Sequence, residues 1–188
     1  MKNEYIDRIM PLERADWQNY LLPFHYVSHN YYNIEVIHSP AGFHVSFVKT
    51  QYDEPYEHLP DDTDKLFQTW RRGIKAWGIV DAGRLIAVIE TAVEKWSNRL
   101  WVTEFWVDDA YRRQGIGTAL MDTAMKRARD EKRRALILET QSRNENAIEF
   151  YLSYGFSLIG FDSCAYRNDD LVRKEVRMEM GILIEYGK

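Results

Sequence analysis

Residues 111–121 read YRRQGIGTALM, and they decide how the rest of the chain is interpreted. They follow LWVTEFWV at 100–107, an aromatic and β-branched run that predicts a strand, and they lead into a run with helical spacing. Arg112, Gly115 and Gly117 therefore lie in a loop that opens a helix. Because the first N–H groups of a helix lack internal partners and lie at its positive end, this loop predicts a phosphate-binding site.

Two other phosphate-binding motifs fit these residues poorly. A dinucleotide fingerprint GxGxxG requires glycine or alanine where Leu120 stands, and a P-loop requires Gly-Lys-Ser/Thr where the chain has Gly117-Thr118-Ala119. A Rossmann turn also begins almost at the end of its strand, whereas residues 108–114 intervene here. Glu139 lies at a tolerable distance for a ribose-binding acid, but the dinucleotide interpretation remains the weaker one.

The elements around the loop predict an α/β fold with a mixed, mostly antiparallel central sheet and helices on both faces. Residues 75–93 read as a hairpin that turns at Asp81-Ala82-Gly83, and 100–107 continue it as a third strand. The remaining predicted elements are a helix from Gly115, a strand at 135–139, a helix from about 144–146 to Gly155, and strands in 156–166 and 176–184.

The first part of the chain gives weaker signals. IEVIHSPAGFHVSFV, at 34–48, predicts a hairpin or a bent strand around Ser39, Pro40 and Gly42. DEPYEHLPDDTD, at 53–64, combines two prolines with like charges, which is typical of a loop. The acidic residues of this run are Asp53, Glu54, Glu57, Asp61, Asp62 and Asp64.

Composition excludes several classes of function. The net charge of −4 argues against nucleic acid as a partner, and the single cysteine, Cys164, rules out an internal disulfide and leaves no zinc-type spacing. Charges interrupt the N-terminus, and no stretch approaches the roughly twenty apolar residues of a membrane span. We therefore expect one cytoplasmic domain over 1–188, monomeric or homodimeric, with no metal and no membrane anchor.

Two motifs together resemble the GNAT acetyltransferases. The first is RxxGxG, from Arg112 to Gly117, between a strand and a helix. The second is N-x-x-A-x-x-x-Y-x-x-x-G-F, matched by Asn144, Ala147, Tyr151 and Gly155-Phe156. The resemblance covers residues 75–162, with 1–74 as variable elements on the acceptor side, and Arg113 departs from it because the family often has glycine there. Within the family, the runs Leu138-Glu139-Thr140-Gln141 and Gly160-Phe161-Asp162 are similar to those of streptothricin acetyltransferases.

The resemblance implies acetyl-CoA as co-substrate and a sheet that splays between strands 100–107 and 135–140. Backbone groups near Phe105 and Val107 would pair with the pantetheine amides like an added strand. The residues implied to bind acetyl-CoA are Phe105, Trp106, Val107, Arg112, Arg113, Gln114, Gly115, Ile116, Gly117, Thr118, Asn144, Ala147 and Tyr151. Asn144, near a helix start, is equally a good N-cap.

Acetyl transfer to an amine needs an acid near the sulfur and a base near the nitrogen. The resemblance places Tyr151 at the acid position, although a tyrosine on an amphipathic helix can also be a core residue. Glu104 is a candidate base because a carboxylate in an apolar strand is costly unless it is solvated, paired or used. Glu139 is the competing carboxylate, as a base or as the partner of the substrate ammonium, and no base is identified beside Cys164 for a role as acyl carrier.

Three functions remain open from the sequence. The first is acetylation of a small cationic amine such as a streptothricin-type antibiotic, which the acidic run at 53–64 favours. The second is acetylation of a protein or peptide on the same scaffold. The third is a non-catalytic acyl-CoA-binding module, against which Tyr151 in register argues.

Overall fold

A computed structural model describes residues 4–60 and 62–186 of the chain. These residues fall into two compact units. Unit 1 comprises Met1–Phe24, Pro60–Leu138 and Ile182–Lys188, and unit 2 comprises His25–Leu59 and Glu139–Gly181.

The described residues form nine strands and four α-helices. In chain order these are β1 (Met10–Leu12), α1 (Arg14–Trp17), β2 (Tyr26–Ser39), β3 (Gly42–His58), β4 (Lys75–Asp81), β5 (Arg84–Glu94), β6 (Arg99–Val107), α2 (Ile116–Asp130), β7 (Ala135–Gln141), α3 (Glu145–Tyr154), β8 (Ser157–Asp162), α4 (Asp170–Arg173) and β9 (Arg177–Leu183).

The strand pairs define a mixed sheet. In unit 1 the strand order is β1-β4-β5-β6-β7, in which the first four strands pair antiparallel and β7 lies parallel to β6. In unit 2, β8 and β9 pair antiparallel, and β2 and β3 form a separate two-stranded sheet. The predicted α/β class, with a mixed and mostly antiparallel sheet and helices, is confirmed.

The hairpin of β4 and β5 follows from its turn residues. Ala82 and Gly83 have φ of 47° and 77°, the left-handed pair that a two-residue type I′ turn requires. The short connection brings Asp81 opposite Arg84 and Val80 opposite Leu85, and the register then shifts by one residue between Val80 and Ile79. The predicted hairpin is confirmed.

Helix α2 packs its apolar face against β4, β5 and β6. The residues with the predicted helical spacing are buried on this face: Leu120, Met121, Ala124, Met125 and Ala128. Ile116, in the first turn, is buried as well. Arg127 and Arg129 lie in the last turn, where a positive charge is favourable with the helix dipole.

In unit 2, helix α3 ends at Gly155, as predicted. Gly155 has φ of 112° and its N–H bonds to the Leu152 carbonyl, while the N–H of Phe156 bonds to the carbonyl of Tyr151. These bonds satisfy the last carbonyls of the helix, and glycine adopts the left-handed conformation without strain. The end of α3 is therefore encoded locally.

The predicted hairpin around Pro40 is confirmed and extends much further along the chain than 34–48. The predicted loop at 53–64 is wrong for its first half, because β3 continues to His58. The register passes from Ser28↔Tyr56 to Asn30↔Gln51, so Tyr52–Pro55 bulge opposite His29. A proline lacks the N–H that a regular ladder needs, and a bulge accommodates it.

Candidate functional site

Strands β6 and β7 part soon after they meet. Their parallel register runs from Arg99↔Ala135 to Trp101↔Ile137, while β6 continues to Val107. The predicted splay is therefore confirmed, and it begins after Trp101.

The peptide groups of Phe105 and Val107 point to the splayed side of β6. The N–H of Asp108 donates to the carbonyl of Ile86 at 2.9 Å, which directs the peptide groups of Asp108 toward β5. Since this direction alternates along an antiparallel strand, the groups of Phe105 and Val107 face away from β5. This is the orientation that pairing with an extended amide chain requires. The Trp106 side chain is only 5% exposed and belongs to the core of unit 1.

The loop before α2 contains two left-handed residues, Arg113 with φ of 58° and Gly115 with φ of 82°. Alternating left-handed residues turn successive N–H groups to one side, which makes a concavity suited to an anion. Gly115 is the N-cap of α2, and the first intrahelical bond runs from the N–H of Ala119 to the Gly115 carbonyl at 3.1 Å. The N–H groups of Ile116, Gly117 and Thr118 thus precede the helical ladder.

The electrostatics of this helix start suit a phosphate. The first turn of α2 carries no acidic residue, so no side chain there competes for the helix dipole. The left-handed φ also accounts for the family preference for glycine where this chain has Arg113. The Ile116 side chain itself is buried, which leaves its backbone as the part suited to an anion.

The Arg112 side chain links the loop to the end of β6 and to Asp109. Its Nε donates to the Val107 carbonyl at 3.0 Å, and its guanidinium pairs with Asp109 at 2.7 Å. Gln114 adds a bond from Nε2 to the Ala110 carbonyl at 3.2 Å. These contacts hold the connection between β6 and α2 in one conformation.

The candidate residues on α3 lie at its start and on its buried face. The Asn144 side chain accepts a hydrogen bond from the N–H of Ala147 at 3.2 Å, so the N-cap interpretation is correct and a contact with the co-substrate remains a prediction. Tyr151 is 7% exposed, and its ring centroid is 5.8 Å from that of Phe156. The ring of Tyr151 is therefore packed in unit 2, whatever its hydroxyl does.

The two candidate carboxylates have different surroundings. Glu104, on β6, is half-buried and stands opposite Glu90 in the register with β5. Glu139, on β7, lies 3.8 Å from the guanidinium of Arg177 on β9. A carboxylate with a cationic partner is a weaker base, so this ion pair lowers the case for Glu139 as the proton acceptor.

Sequence reasoning missed a buried carboxylate, Glu90 on β5. Its side chain accepts hydrogen bonds from the N–H of Phe67 at 2.5 Å and from the hydroxyl of Thr103 at 2.7 Å. Burial raises the pKa of the Glu90 carboxyl, and these two bonds oppose that increase. The argument that singled out Glu104, a carboxylate inside an apolar strand, applies equally to Glu90 and could have found it.

The Leu138-Glu139-Thr140-Gln141 run leads into a buried polar network in unit 2. Gln141 accepts from the Tyr26 hydroxyl at 3.2 Å and donates to Glu175 at 3.1 Å. Arg143 pairs with the same carboxylate at 2.5 Å and lies 4.4 Å from the ring centroid of Tyr56. The network joins β2, β3 and the segment before β9.

Cys164 is a poor candidate for an acyl carrier. The Cys164 thiol donates to Asp162 at 3.3 Å, and this carboxylate raises the pKa of the thiol, which keeps it protonated and a poor nucleophile. Residues 4–60 and 62–186 contain no group of three or more potential metal ligands. Within the same ranges, no helix is long and apolar enough to span a membrane.

A splayed parallel strand pair beside a helix start suited to an anion is typical of acyl-CoA-dependent acyltransferases. Comparison with known proteins identifies the family. The chain belongs to the acetyltransferase (GNAT) family, whose model matches residues 44–156, and it is an N-acetyltransferase of that family. The predicted family and enzyme class are confirmed.

Its relatives include streptothricin acetyltransferases. Streptothricin acetyltransferase A of Bacillus subtilis (strain 168) is 33% identical over 124 residues, which cover 65% of this chain and 71% of the relative. Streptothricin acetyltransferase of Streptomyces lavendulae is 33% identical over 85 residues, 45% of each chain. The predicted similarity to streptothricin acetyltransferases is confirmed.

Solved structures show the same fold. A nourseothricin acetyltransferase superposes with a TM-score of 0.73 at 24% identity, covering 95% of this chain and 98% of the other. A putative streptothricin acetyltransferase from Bacillus anthracis str. Ames, solved in complex with acetyl coenzyme A, gives 0.71 at 20% identity, covering 94% and 98%. At these identities the likeness supports the fold alone.

Proposed function

We propose that this protein transfers the acetyl group of acetyl-CoA to a primary amine of a small cationic acceptor of the streptothricin class, in the cytoplasm. The observation that carries acetyl-CoA binding is the pair of left-handed residues, Arg113 and Gly115, before the acid-free first turn of α2. The identity of the acceptor is supported by the streptothricin acetyltransferases among the relatives.

Each part of the co-substrate has suitable residues. The N–H groups of 115–118 would hold the pyrophosphate, with the charges of Arg112 and Arg113 beside them. The peptide groups of Phe105 and Val107 would bind the pantetheine amides as an added strand. Asn144 and Ala147 belong to the same proposal through the second family motif.

Acetyl transfer to an amine requires a proton acceptor and a proton donor, and one residue is proposed for each role. Glu104 accepts the proton that the amine loses as its nitrogen bonds to the acetyl carbon, and Tyr151 donates a proton to the sulfur as the carbon–sulfur bond breaks. The attacking amine is the neutral form, which an ammonium group reaches by releasing one proton to solvent. After the amide and the free thiol have formed, Glu104 loses its proton to solvent and the Tyr151 phenolate regains one, so both groups return to their starting forms. Glu139 is the alternative proton acceptor, against which its ion pair with Arg177 argues.

The decisive experiment measures release of CoA from acetyl-CoA in the presence of streptothricin, polyamines, aminoglycosides and lysine peptides. We expect the highest kcat/KM with streptothricin, which carries β-lysine amino groups. A preference for the lysine peptides would favour the protein acetyltransferase alternative. Binding of acetyl-CoA without turnover of any amine would favour the non-catalytic module.

Binding can be tested separately from turnover. Acetyl-CoA should raise the melting temperature because it stabilises only the native state, by about 2.7 kcal/mol at a hundredfold excess over Kd. Gly117→Leu should remove this shift by blocking the approach of a phosphate to the loop. Arg129→Leu, which places the same side chain on the exposed side of the last turn of the same helix, is the control and should keep the shift. Absence of a shift in the unmodified protein would contradict the proposed function.

A further inference from the structure

The most buried carboxylate of unit 1 has no role in the chemistry proposed above. Glu90 is 1% exposed, and both of its oxygens accept hydrogen bonds, Oε1 from Thr103 and Oε2 from the N–H of Phe67. A buried charge costs several kcal/mol, about as much as its hydrogen bonds can recover. The reason for a carboxylate at this position therefore lies in the two groups that its oxygens bind.

Both partners of Glu90 occupy irregular backbone positions. The β5–β6 register passes from Glu90↔Glu104 to Thr91↔Val102, so Thr103 is the extra residue of a β-bulge. Phe67 has φ of 54°, in the left-handed region that a bulky residue rarely adopts. Strained or unpaired positions persist only where surrounding contacts hold them, and Glu90 supplies one contact to each.

The bulge has a particular place along β6. It follows Trp101, where pairing with β7 ends, and it precedes Glu104–Val107. A bulge bends its strand and increases the local twist, so it sets the direction of the residues that follow. The segment that it directs contains the proposed proton acceptor and the proposed pantetheine-binding peptide groups.

The second oxygen of Glu90, Oε2, binds Phe67 in the segment before β4. The Phe67 carbonyl accepts a hydrogen bond from Arg14 at 3.1 Å. The Phe67 side chain packs in one core cluster with Trp106 of β6. Glu90 therefore ties the segment before β4 and the bulge of β6 to a single point on β5.

We propose that Glu90 is a positioning residue for acetyl transfer: its bond to Thr103 fixes the bulge of β6 and so aims Glu104–Val107 at the reacting groups. This inference rests on the proposed function. Glu90 exchanges no proton with the substrate in this role; it acts through the backbone of β6.

The test is a double-mutant cycle with Glu90→Met and Thr103→Val, measured by steady-state kinetics with acetyl-CoA and the best amine; methionine has a similar size and cannot donate a hydrogen bond to Thr103, as glutamine could. Each substitution should lower kcat/KM by about ten- to a hundredfold, mainly through kcat, because small misplacements of reacting groups have effects of this size. The double variant should be no worse than Glu90→Met alone, since both changes remove the hydrogen bond between Glu90 and Thr103. Thr103→Ser keeps the hydroxyl and should stay within about threefold of the unmodified protein.

Thr91→Val is the matched control. Thr91 is the next residue on β5, is fully buried, and accepts a hydrogen bond from Arg127 at 2.7 Å. Its loss should lower the melting temperature and leave kcat nearly unchanged. If Glu90→Met fails to fold, the comparison of Thr103→Val with Thr103→Ser carries the test, because Thr103 is partly exposed.

Two results would overturn the positioning role in an active enzyme. One is a loss of melting temperature without a loss of kcat in Glu90→Met and Thr103→Val, as expected for Thr91→Val. The other is a double variant whose defect is the product of the two single defects. An unmodified protein that neither binds acetyl-CoA nor acetylates any amine would overturn the proposed function first and this inference with it.

Discussion

The left-handed conformation of Arg113 gives a prediction about stability with a definite sign. Its φ of 58° costs a residue with a Cβ about 1–2 kcal/mol relative to the right-handed regions. Glycine avoids this cost but gains about 0.5–1 kcal/mol of entropy in the unfolded chain. Arg113→Gly should therefore be more stable than Arg113→Ala by roughly 0.5–1 kcal/mol.

Alanine is the proper reference because both substitutions remove the same charge and side chain. For a chain of this length, the difference corresponds to a melting temperature about 1–4 °C higher for the glycine variant. Scanning calorimetry of the two proteins without ligand measures it. Lys132, just after α2, also has a left-handed φ, 52°, and is exposed, so Lys132→Gly against Lys132→Ala is a control outside the phosphate loop.

Measurements of acetyl-CoA binding distinguish the effect of the backbone conformation at 113 from the effect of the Arg113 charge. Both variants at 113 should bind acetyl-CoA more weakly, by a few-fold, and the deficit should shrink as salt rises because it comes from one exposed charge near a phosphate. An Arg113→Ala protein as stable as Arg113→Gly would refute the assignment of a left-handed residue at 113, and with it the concavity on which the phosphate site depends. Equal stability at 132 as well would point instead to an error in the assumed cost of this conformation.

Three further predictions concern the acid, the base and the acceptor. Tyr151→Phe should keep the acetyl-CoA-induced shift in melting temperature and lower kcat by about a hundredfold or more, since it removes a proton donor and preserves the ring; unchanged turnover would leave Tyr151 as a core residue. Glu104→Gln should lower kcat/KM by about a hundredfold and flatten its rise with pH, whereas an unaltered pH profile would remove Glu104 as the base. Neutralising Asp61, Asp62 and Asp64 to asparagine should raise KM for a polycationic amine at low salt with little change for acetyl-CoA; equal KM values would exclude these residues from recognition.

The elements around the phosphate loop could be predicted because their signals are local. Ala82-Gly83 supplies the two left-handed residues of a tight turn, and Gly155 ends α3 for a similar conformational reason. The apolar spacing of α2 matches its buried face residue by residue. Such signals require no knowledge of distant parts of the chain.

The prediction of a loop at 53–64 is wrong for its first half, and the reason is physical. Proline and like charges disfavour a regular ladder, but the bulge at Tyr52–Pro55 lets β3 continue to His58. The run is also divided between the two units, since Asp53, Glu54 and Glu57 lie in unit 2 while Asp62 and Asp64 lie in unit 1. Asp61 lies outside the described residues. The acidic residues therefore do not belong to one continuous loop.

The choice between Glu104 and Glu139 shows where sequence reasoning ends. Both are carboxylates in apolar strands, so composition and spacing rank them equally as candidate bases. What separates them is Arg177 on β9, whose guanidinium lies 3.8 Å from Glu139 and reaches it only through strand pairing that no local pattern encodes. The ion pair favours the ionised form of Glu139 and so weakens it as a proton acceptor. Arg177 would also compete with the ammonium group of a substrate for the Glu139 carboxylate. An acceptor that used this carboxylate would have to displace Arg177, and this requirement argues against Glu139 as the base.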